Sequence, residues 1–396
     1  MRAATPFHVL AKPTGSACNL ACEYCFFLEK SALYPNVRQR MSDEVLEAYL
    51  RQLFDAQPDG PVAVAWQGGE PTLMGLPFFE RAVRLAEGHR RPNLQIEYTL
   101  QTNATLLDDD WAAFLAENKV LVGVSIDGPE DVHDAYRRDR DGRGTHALVL
   151  AGIEKLEAHG VEWNALTAVH ARSEGRGAEV YRYLRDEAVA RFIQFIPIVE
   201  RAMDDGVPTG AEATDRSVSA SGYGTFMSDV FDEWVRHDVA NVFVQAFDDA
   251  LAAYVGEPRI CIHAPTCGRA VALEFNGDVY SCDHFVEPDA RLGNILETPL
   301  AELVESEQQT QFGQRKAASI PGECQECAVG AVCAGGCPKD RFVTGGQPDE
   351  VGRNYLCAGY RDFFSHINAP MRIMAGLLSA GRPPSEIMRL KWRVTP

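Results

Sequence analysis

Residues 15–25 read GSACNLACEYC, placing Cys18, Cys22 and Cys25 within eight positions. Three thiolates are one short of the four that cap an electron-transfer cubane. A [4Fe–4S] cluster held here keeps one iron free for a substrate or cofactor. Eight more cysteines follow: Cys261, Cys267, Cys282, the run CQECAVGAVCAGGC carrying Cys324, Cys327, Cys333 and Cys337, and finally Cys357. Eight suffice for two closed cubanes, and three plus eight uses all eleven cysteines. Zinc is the competing metal, because C-x-x-C pairs also build zinc ribbons, and iron and sulfide analysis separates the two. Disulfides are not expected, since the count is odd and the first residues carry no apolar stretch of signal-peptide length.

These cysteines need elements to hold them. Six β-rich runs, residues 7–12, 62–67, 94–102, 120–126, 162–169 and 191–199, alternate with helical segments at 42–56, 77–89, 108–118, 146–160 and 178–189. In the first helical segment Ser42 is a candidate N-cap, and Val45, Leu46, Tyr49, Leu50 and Leu53 give the three/four spacing of a buried face. Strands alternating with helices predict a parallel sheet with right-handed crossovers. Six units are too few for an eight-fold barrel, so the expected fold is α/β, a partial (β/α)6 TIM-type barrel, followed by a small cysteine-rich iron–sulfur domain and a C-terminal helix. Active sites of such barrels gather at the carboxyl ends of the strands. CNLACEYC, GGEP, TN and DGP follow the first four strands and so share one rim.

The division expected along the chain is a barrel over 1–222, a helical connector over 223–260, the cluster-binding domain over 261–365 and a helical segment over 366–396. Residues 200–222 read as a polar loop. In 261–357 little regular periodicity is visible apart from a hairpin around Asn276-Gly277, so that module is expected to be held by metal rather than by a core. The closing helix is expected to break near Pro370.

The chain has 396 residues, 46% hydrophobic and 24% charged, with a formal net charge of −18. This acidity disfavours nucleic acid as a partner. No apolar run approaches membrane-spanning length, and a cytoplasmic, monomeric protein is expected.

The three-cysteine loop after a first barrel strand resembles the radical S-adenosylmethionine (radical SAM) superfamily. The resemblance implies that SAM chelates the open iron and, on receiving an electron, yields a 5′-deoxyadenosyl radical that abstracts hydrogen. It also implies SAM contacts from Gln67, Gly68, Gly69 and Glu70, with the glycines admitting the methionyl amine. Ser125 and Arg137 would hold ribose and carboxylate, Tyr24 would lie against adenine, and Val199 would form a pocket wall. The later cysteines, with Gly277 ahead of Cys282, resemble the SPASM module. That resemblance implies interleaved ligation, Cys261, Cys267, Cys282 and Cys337 on one auxiliary cluster and Cys324, Cys327, Cys333 and Cys357 on the other.

NGDVYSCDHFVEPDARLGNI (276–295) and CAGYRDFFSHINAPMRIMAGLLSAGRPPSEIM (357–388) closely resemble anaerobic sulfatase-maturating enzymes. The implied activity is oxidation of a sulfatase cysteine or serine to Cα-formylglycine. Asp283 would be the base, with the cluster on Cys282 taking the electron, and His284 would belong to that cluster's surroundings. The implied partners are an unfolded sulfatase segment with a C/S-x-P/A-x-R motif and an electron donor such as flavodoxin or ferredoxin. Two alternatives stand beside this: a SPASM enzyme that modifies a ribosomally made peptide, and a polyferredoxin-like electron carrier. The carrier would need every cluster closed, which the three-cysteine loop opposes.

Overall fold

Ser42 caps the first long helix, its hydroxyl accepting from Val45 N at 3.2 Å, the contact that makes Ser favourable at an N-terminus by about 1 kcal/mol. The five apolar positions that follow it at three/four spacing are all buried. The structure is a computed structural model that describes residues 2–35, 37–204, 207–257, 260–344 and 352–390. In chain order the elements are β1 His8–Lys12, α1 Asp43–Ala56, β2 Gly60–Trp66, α2 Leu76–His89, β3 Leu94–Thr102, α3 Asp109–Glu117, β4 Leu121–Ser125, α4 His146–Ala158, β5 Trp163–Val169, α5 Gly177–Arg182 and β6 Phe192–Pro197. They continue with β7 Arg201–Asp204, β8 Val207–Ala213, α6 Ala220–His237, β9 Phe243–Val244, α7 Gln245–Tyr254, β10 Ala270–Glu274, β11 Asp278–Tyr280, β12 Arg291–Asn294, α8 Glu307–Ala318 and α9 Cys357–Ser379.

The chain forms two compact units that interleave along the sequence. The first contains Met1–Ser125, Asp134–Trp163 and Cys267–Gln314. Its strands run in the order β12-β11-β10-β1-β2-β3-β4. β1 through β4 are parallel neighbours, as the alternation of strands and helices predicts. The second unit contains Ile126–His133, Asn164–Thr266 and Arg315–Pro396, with β5, β6 and β9 as parallel neighbours. The α/β class with a parallel sheet is thus borne out.

Three expectations are corrected. Arg201–Asp204 and Val207–Ala213 are not loop: β7 and β8 pair antiparallel. Their polar composition hides them, because a strand pair without an apolar face leaves no alternation to read. The cysteine-rich region has more regular structure than its composition suggests. Its hairpin does form at Asn276-Gly277 (Gly277 φ 91°). However, β10 also pairs in parallel with β1, from His8↔Ala270 to Lys12↔Glu274. α8 then adds three turns, with its side chain Gln309 donating to Gly268 O and Ser281 O. Finally, α9 runs unbroken through Pro370. Pro370 lies on the buried face with Tyr360, Phe363, Phe364, Ile367, Met371 and Met374, and this burial outweighs the roughly 3 kcal/mol cost of an interior proline.

No helix among the described residues is long and apolar enough to cross a membrane.

Candidate active site

In the first unit the cysteine loop starts where β1 ends. Gly15 N donates to Lys12 O (3.1 Å) and Ala17 N to Thr14 O (2.9 Å), turning the chain so that Cys18 and Cys25 are half-buried and Cys22 is buried. A second segment zips onto this loop: Ala21 N donates to Arg138 O, Glu23 N to Tyr136 O, and Arg140 to Cys18 O at 2.7 Å. Two N–H groups already point at one sulfur, Leu20 N at 3.3 Å and Asn103 Nδ2 at 3.7 Å from Cys18 Sγ. Burial, with Glu70 and the charges of Cys22 and Cys25 adding to it, pushes the Cys18 thiol up to about 12 against the Leu20 N–H. A thiolate there needs a bound cation, while the N–H donors are suited to anionic sulfur. The donor set therefore fits a metal cluster. No three Cys, His, Asp or Glu side chains among the described residues are arranged to share one ion. In a cubane each thiolate caps its own iron, so the sulfurs need not converge on a point.

The QGGE segment follows β2 and lies directly on this loop. Gly69 N donates to Gly15 O (2.8 Å) and Glu70 N to Ala17 O (2.9 Å). A Cβ on Gly69 would stand 2.2 Å from Ala17 O and 2.7 Å from Ser16 C. On Gly68, whose φ is +115°, it would stand 2.8 Å from Gly15 O. What their missing side chains admit is the backbone of the cysteine loop. Glu70 is fully buried and accepts from Thr72 N, Thr72 Oγ1, Thr102 Oγ1 and Asn103 N at 2.7–3.0 Å. Burial raises its pKa, and these four donors oppose the rise. Its oxygens tie the end of β2 to the end of β3.

The remaining positions fall as follows. Gln67 N donates to Ala11 O. Ser125, the last residue of β4, accepts from Gln101 Nε2 at 3.2 Å. The Arg137 guanidinium stands 5.5 Å from the Tyr24 ring centre, and Tyr24 meets Tyr136 edge-on at 6.0 Å. Val199 lies just past β6 in the second unit.

Asp283 follows Cys282 and is buried in the first unit among charges that the sequence reading missed. Its Oδ1 is 2.5 Å from Lys12 Nζ and 4.0 Å from Lys30 Nζ. The Lys12 contact is a close ion pair rather than an aligned hydrogen bond. Glu274 Oε1 stands 3.3 Å from Lys12 Nζ, and Lys30 also donates to the Asp283 carbonyl. Burial alone would raise Asp283, but Lys12, Lys30 and His284 outweigh it and hold the carboxyl at about 2. Burial would likewise lower Lys12, yet Asp283 and Glu274 keep it above its ordinary value. A lysine ending an apolar strand was the available signal, since a charge in that position needs a partner.

The other cysteines divide between the units. Cys267 and Cys282 belong to the first, Cys261 and Cys337 to the second. Cys324, Cys327, Cys333 and Cys357 all lie in the second. Burial raises Cys324, Cys333 and Cys357, and the charges of the other cysteines in this set raise them further, with Cys333 pushed up to about 11. Mutual repulsion of this kind marks thiols near enough to share a cluster. Two cations, buried Lys316 and half-buried Arg341, brace the surrounding loops. Lys316 donates to the carbonyls of Cys261, Ile262 and Ala264, and Arg341 to those of Gly335, Ala334 and Gly336.

Residues 13–184 match the Radical SAM superfamily and residues 261–328 the iron–sulfur cluster-binding domain SPASM. Together with the parallel sheet and the three-cysteine loop, they define a radical SAM enzyme with an auxiliary cluster domain, a class whose cofactors are S-adenosylmethionine and [4Fe–4S] clusters. The serine-type anaerobic sulfatase-maturating enzyme of Bacteroides thetaiotaomicron is 43% identical over 399 aligned residues, which cover 98% of this chain and 95% of that one. The cysteine-type enzyme of Clostridium perfringens is 35% identical over 367 residues, covering 91% and 96%. A solved structure of native anSMEcpe with bound AdoMet and Kp18Cys peptide superposes with a TM-score of 0.83 at 33% identity, covering 94% of this chain and 99% of that one. The chain belongs to the anaerobic sulfatase-maturating enzyme family.

Proposed function

We propose that this chain oxidises a cysteine or serine side chain of a sulfatase segment to Cα-formylglycine. The observation that carries the reading is near-full-length identity to both serine- and cysteine-type enzymes. Cys18, Cys22 and Cys25 hold the cluster that binds SAM, with Tyr24, Gln67, Gly68, Gly69, Glu70, Ser125, Arg137 and Val199 around the nucleotide. The other eight cysteines hold two auxiliary clusters in the interleaved sets given above, in a cluster domain spanning 261–365 after a barrel of 1–222 and a connector of 223–260. When bound and reduced by one electron, SAM supplies the means to remove a hydrogen atom from Cβ of the target residue.

The chain's own residues do the rest. Asp283 accepts the proton of the target's hydroxyl or thiol while one electron departs, leaving an aldehyde, or a thioaldehyde that water hydrolyses. A carboxyl held at about 2 is always ionised at neutral pH, and a hydroxyl beside a carbon radical is far more acidic than an ordinary alcohol. A cluster held by adjacent Cys282 would add negative charge and so raise Asp283 toward a better base. Net charge −18 complements the arginine of a C/S-x-P/A-x-R substrate. We infer a cytoplasmic monomer fed by flavodoxin or ferredoxin.

The test is anaerobic incubation of reconstituted protein with SAM, a reductant and a short peptide bearing C-x-P-S-R or S-x-P-S-R. The Ser peptide is expected to lose the mass of two hydrogens, and the Cys peptide to exchange sulfur for oxygen as well. SAM cleavage with neither change would assign the chain a different product. Asp283→Asn is expected to cleave SAM yet form little aldehyde.

A further inference from the structure

Lys12 touches three parts of the first unit. Its carbonyl accepts from Gly15 N, starting the turn that carries Cys18. Its stem fills the space left by Gly68, where an added Cβ would stand 3.1 Å from Lys12 Cβ and 3.3 Å from Cγ. Its ammonium reaches Asp283 Oδ1 at 2.5 Å and Glu274 Oε1 at 3.3 Å. The side chain is wholly buried, and the parallel register of β1 and β10 sets Lys12 beside Glu274. The shortest approach of each lysine to the Asp283 carboxylate is to Oδ1.

We propose that Lys12 is a positioning residue for the oxidation, fixing Asp283 through Oδ1 so that Oδ2 receives the substrate proton. The inference rests on Asp283 being the base. In the step concerned, the O–H or S–H bond of the target breaks, its electron pair stays on oxygen or sulfur, and the proton goes to Oδ2. Lys12 exchanges no proton. It sets where Asp283 stands relative to the cysteine loop, since one residue spans both, by its carbonyl and by its ammonium. Misplacing a catalytic group by about 1 Å costs roughly 10²-fold in rate.

A purely structural role would be to neutralise two buried carboxylates, and a paired variant separates that role from positioning. Lys12→Met leaves Asp283 and Glu274 with Lys30 alone, whereas Lys12→Met/Glu274→Gln restores the balance of charge. Both would be assayed for iron content, thermal unfolding and the ratio of 5′-deoxyadenosine released to formylglycine formed. The expected result is that the double variant keeps its iron and unfolds like the unmodified protein, yet both variants cleave SAM with that ratio raised roughly 10²-fold. A double variant with an ordinary ratio overturns the proposal, and so does one that cannot retain iron, because Lys12 would then serve the fold first. Asp283→Asn runs alongside. An ordinary ratio there removes the base assignment itself, whereas a raised ratio with normal Lys12 variants removes only the present inference.

Discussion

Gly69→Ala tests how the QGGE segment serves the cysteine loop. The new Cβ would lie 2.2 Å from Ala17 O, about 1.2 Å inside ordinary contact, with Ala17 C at 2.6 Å and Ser16 C at 2.7 Å. All three atoms are backbone, so no rotamer change relieves the clash. The loop must retreat, and in doing so it stretches the bonds from Gly69 N to Gly15 O and from Glu70 N to Ala17 O, now 2.8 and 2.9 Å. Overpacking costs about 1–3 kcal/mol and two lost hydrogen bonds about 1–3 kcal/mol together. The total is of order 2–6 kcal/mol, and it falls within two residues of Cys18. Anaerobically reconstituted Gly69→Ala should therefore fall from about 12 irons per chain to about 8, keeping the auxiliary clusters and losing SAM cleavage. A variant with full iron, an unchanged unfolding temperature and normal SAM cleavage would refute the idea that these glycines exist to admit the loop.

Three further outcomes follow from the same geometry. Glu70→Ala strips the acceptor from four buried donors and should destabilise the first unit by about 3–5 kcal/mol, measured by denaturant unfolding. Lys316→Met unpins the carbonyls of Cys261, Ile262 and Ala264, and iron analysis should show loss of about 4 irons. Lys30 is lowered by burial to about 8 from an ordinary 10.5, although Asp283 opposes the shift. Between those values the unfolded chain binds the extra proton, so the Lys30 contribution makes stability rise with pH across that window, by on the order of 3 kcal/mol. Unfolding followed from pH 7 to 11 should show the rise in the unmodified protein relative to Lys30→Met, and parallel curves would contradict it.

The sequence made legible what repeats with a period or carries unusual chemistry. Six strands and the helices between them announce themselves through apolar spacing, and three clustered thiols announce an open iron. Pairing between distant segments leaves no such trace. VALEF reads as half of a hairpin, and nothing local says that its other edge joins residues 8–12. Arg291–Asn294 is too short and too polar to stand out, as are both strands of 201–213. The QGGE motif was visible, but its physical reason was not, because the close approach of Gly69 to Ala17 exists only once β1 and β2 are side by side. Lys12 was hidden for the same reason, its partners lying far along the chain.

The pairing of β10 with β1 also constrains biogenesis. While the ribosome is still working, the first strand emerges early and waits with one flank of N–H and C=O groups unmatched until residues 270–274 are made. An exposed strand flank invites pairing with other chains, so nascent polypeptide and truncated products are the forms most in need of a chaperone. Metal loading of the first loop before residues 270–274 are made would act on a half-built support.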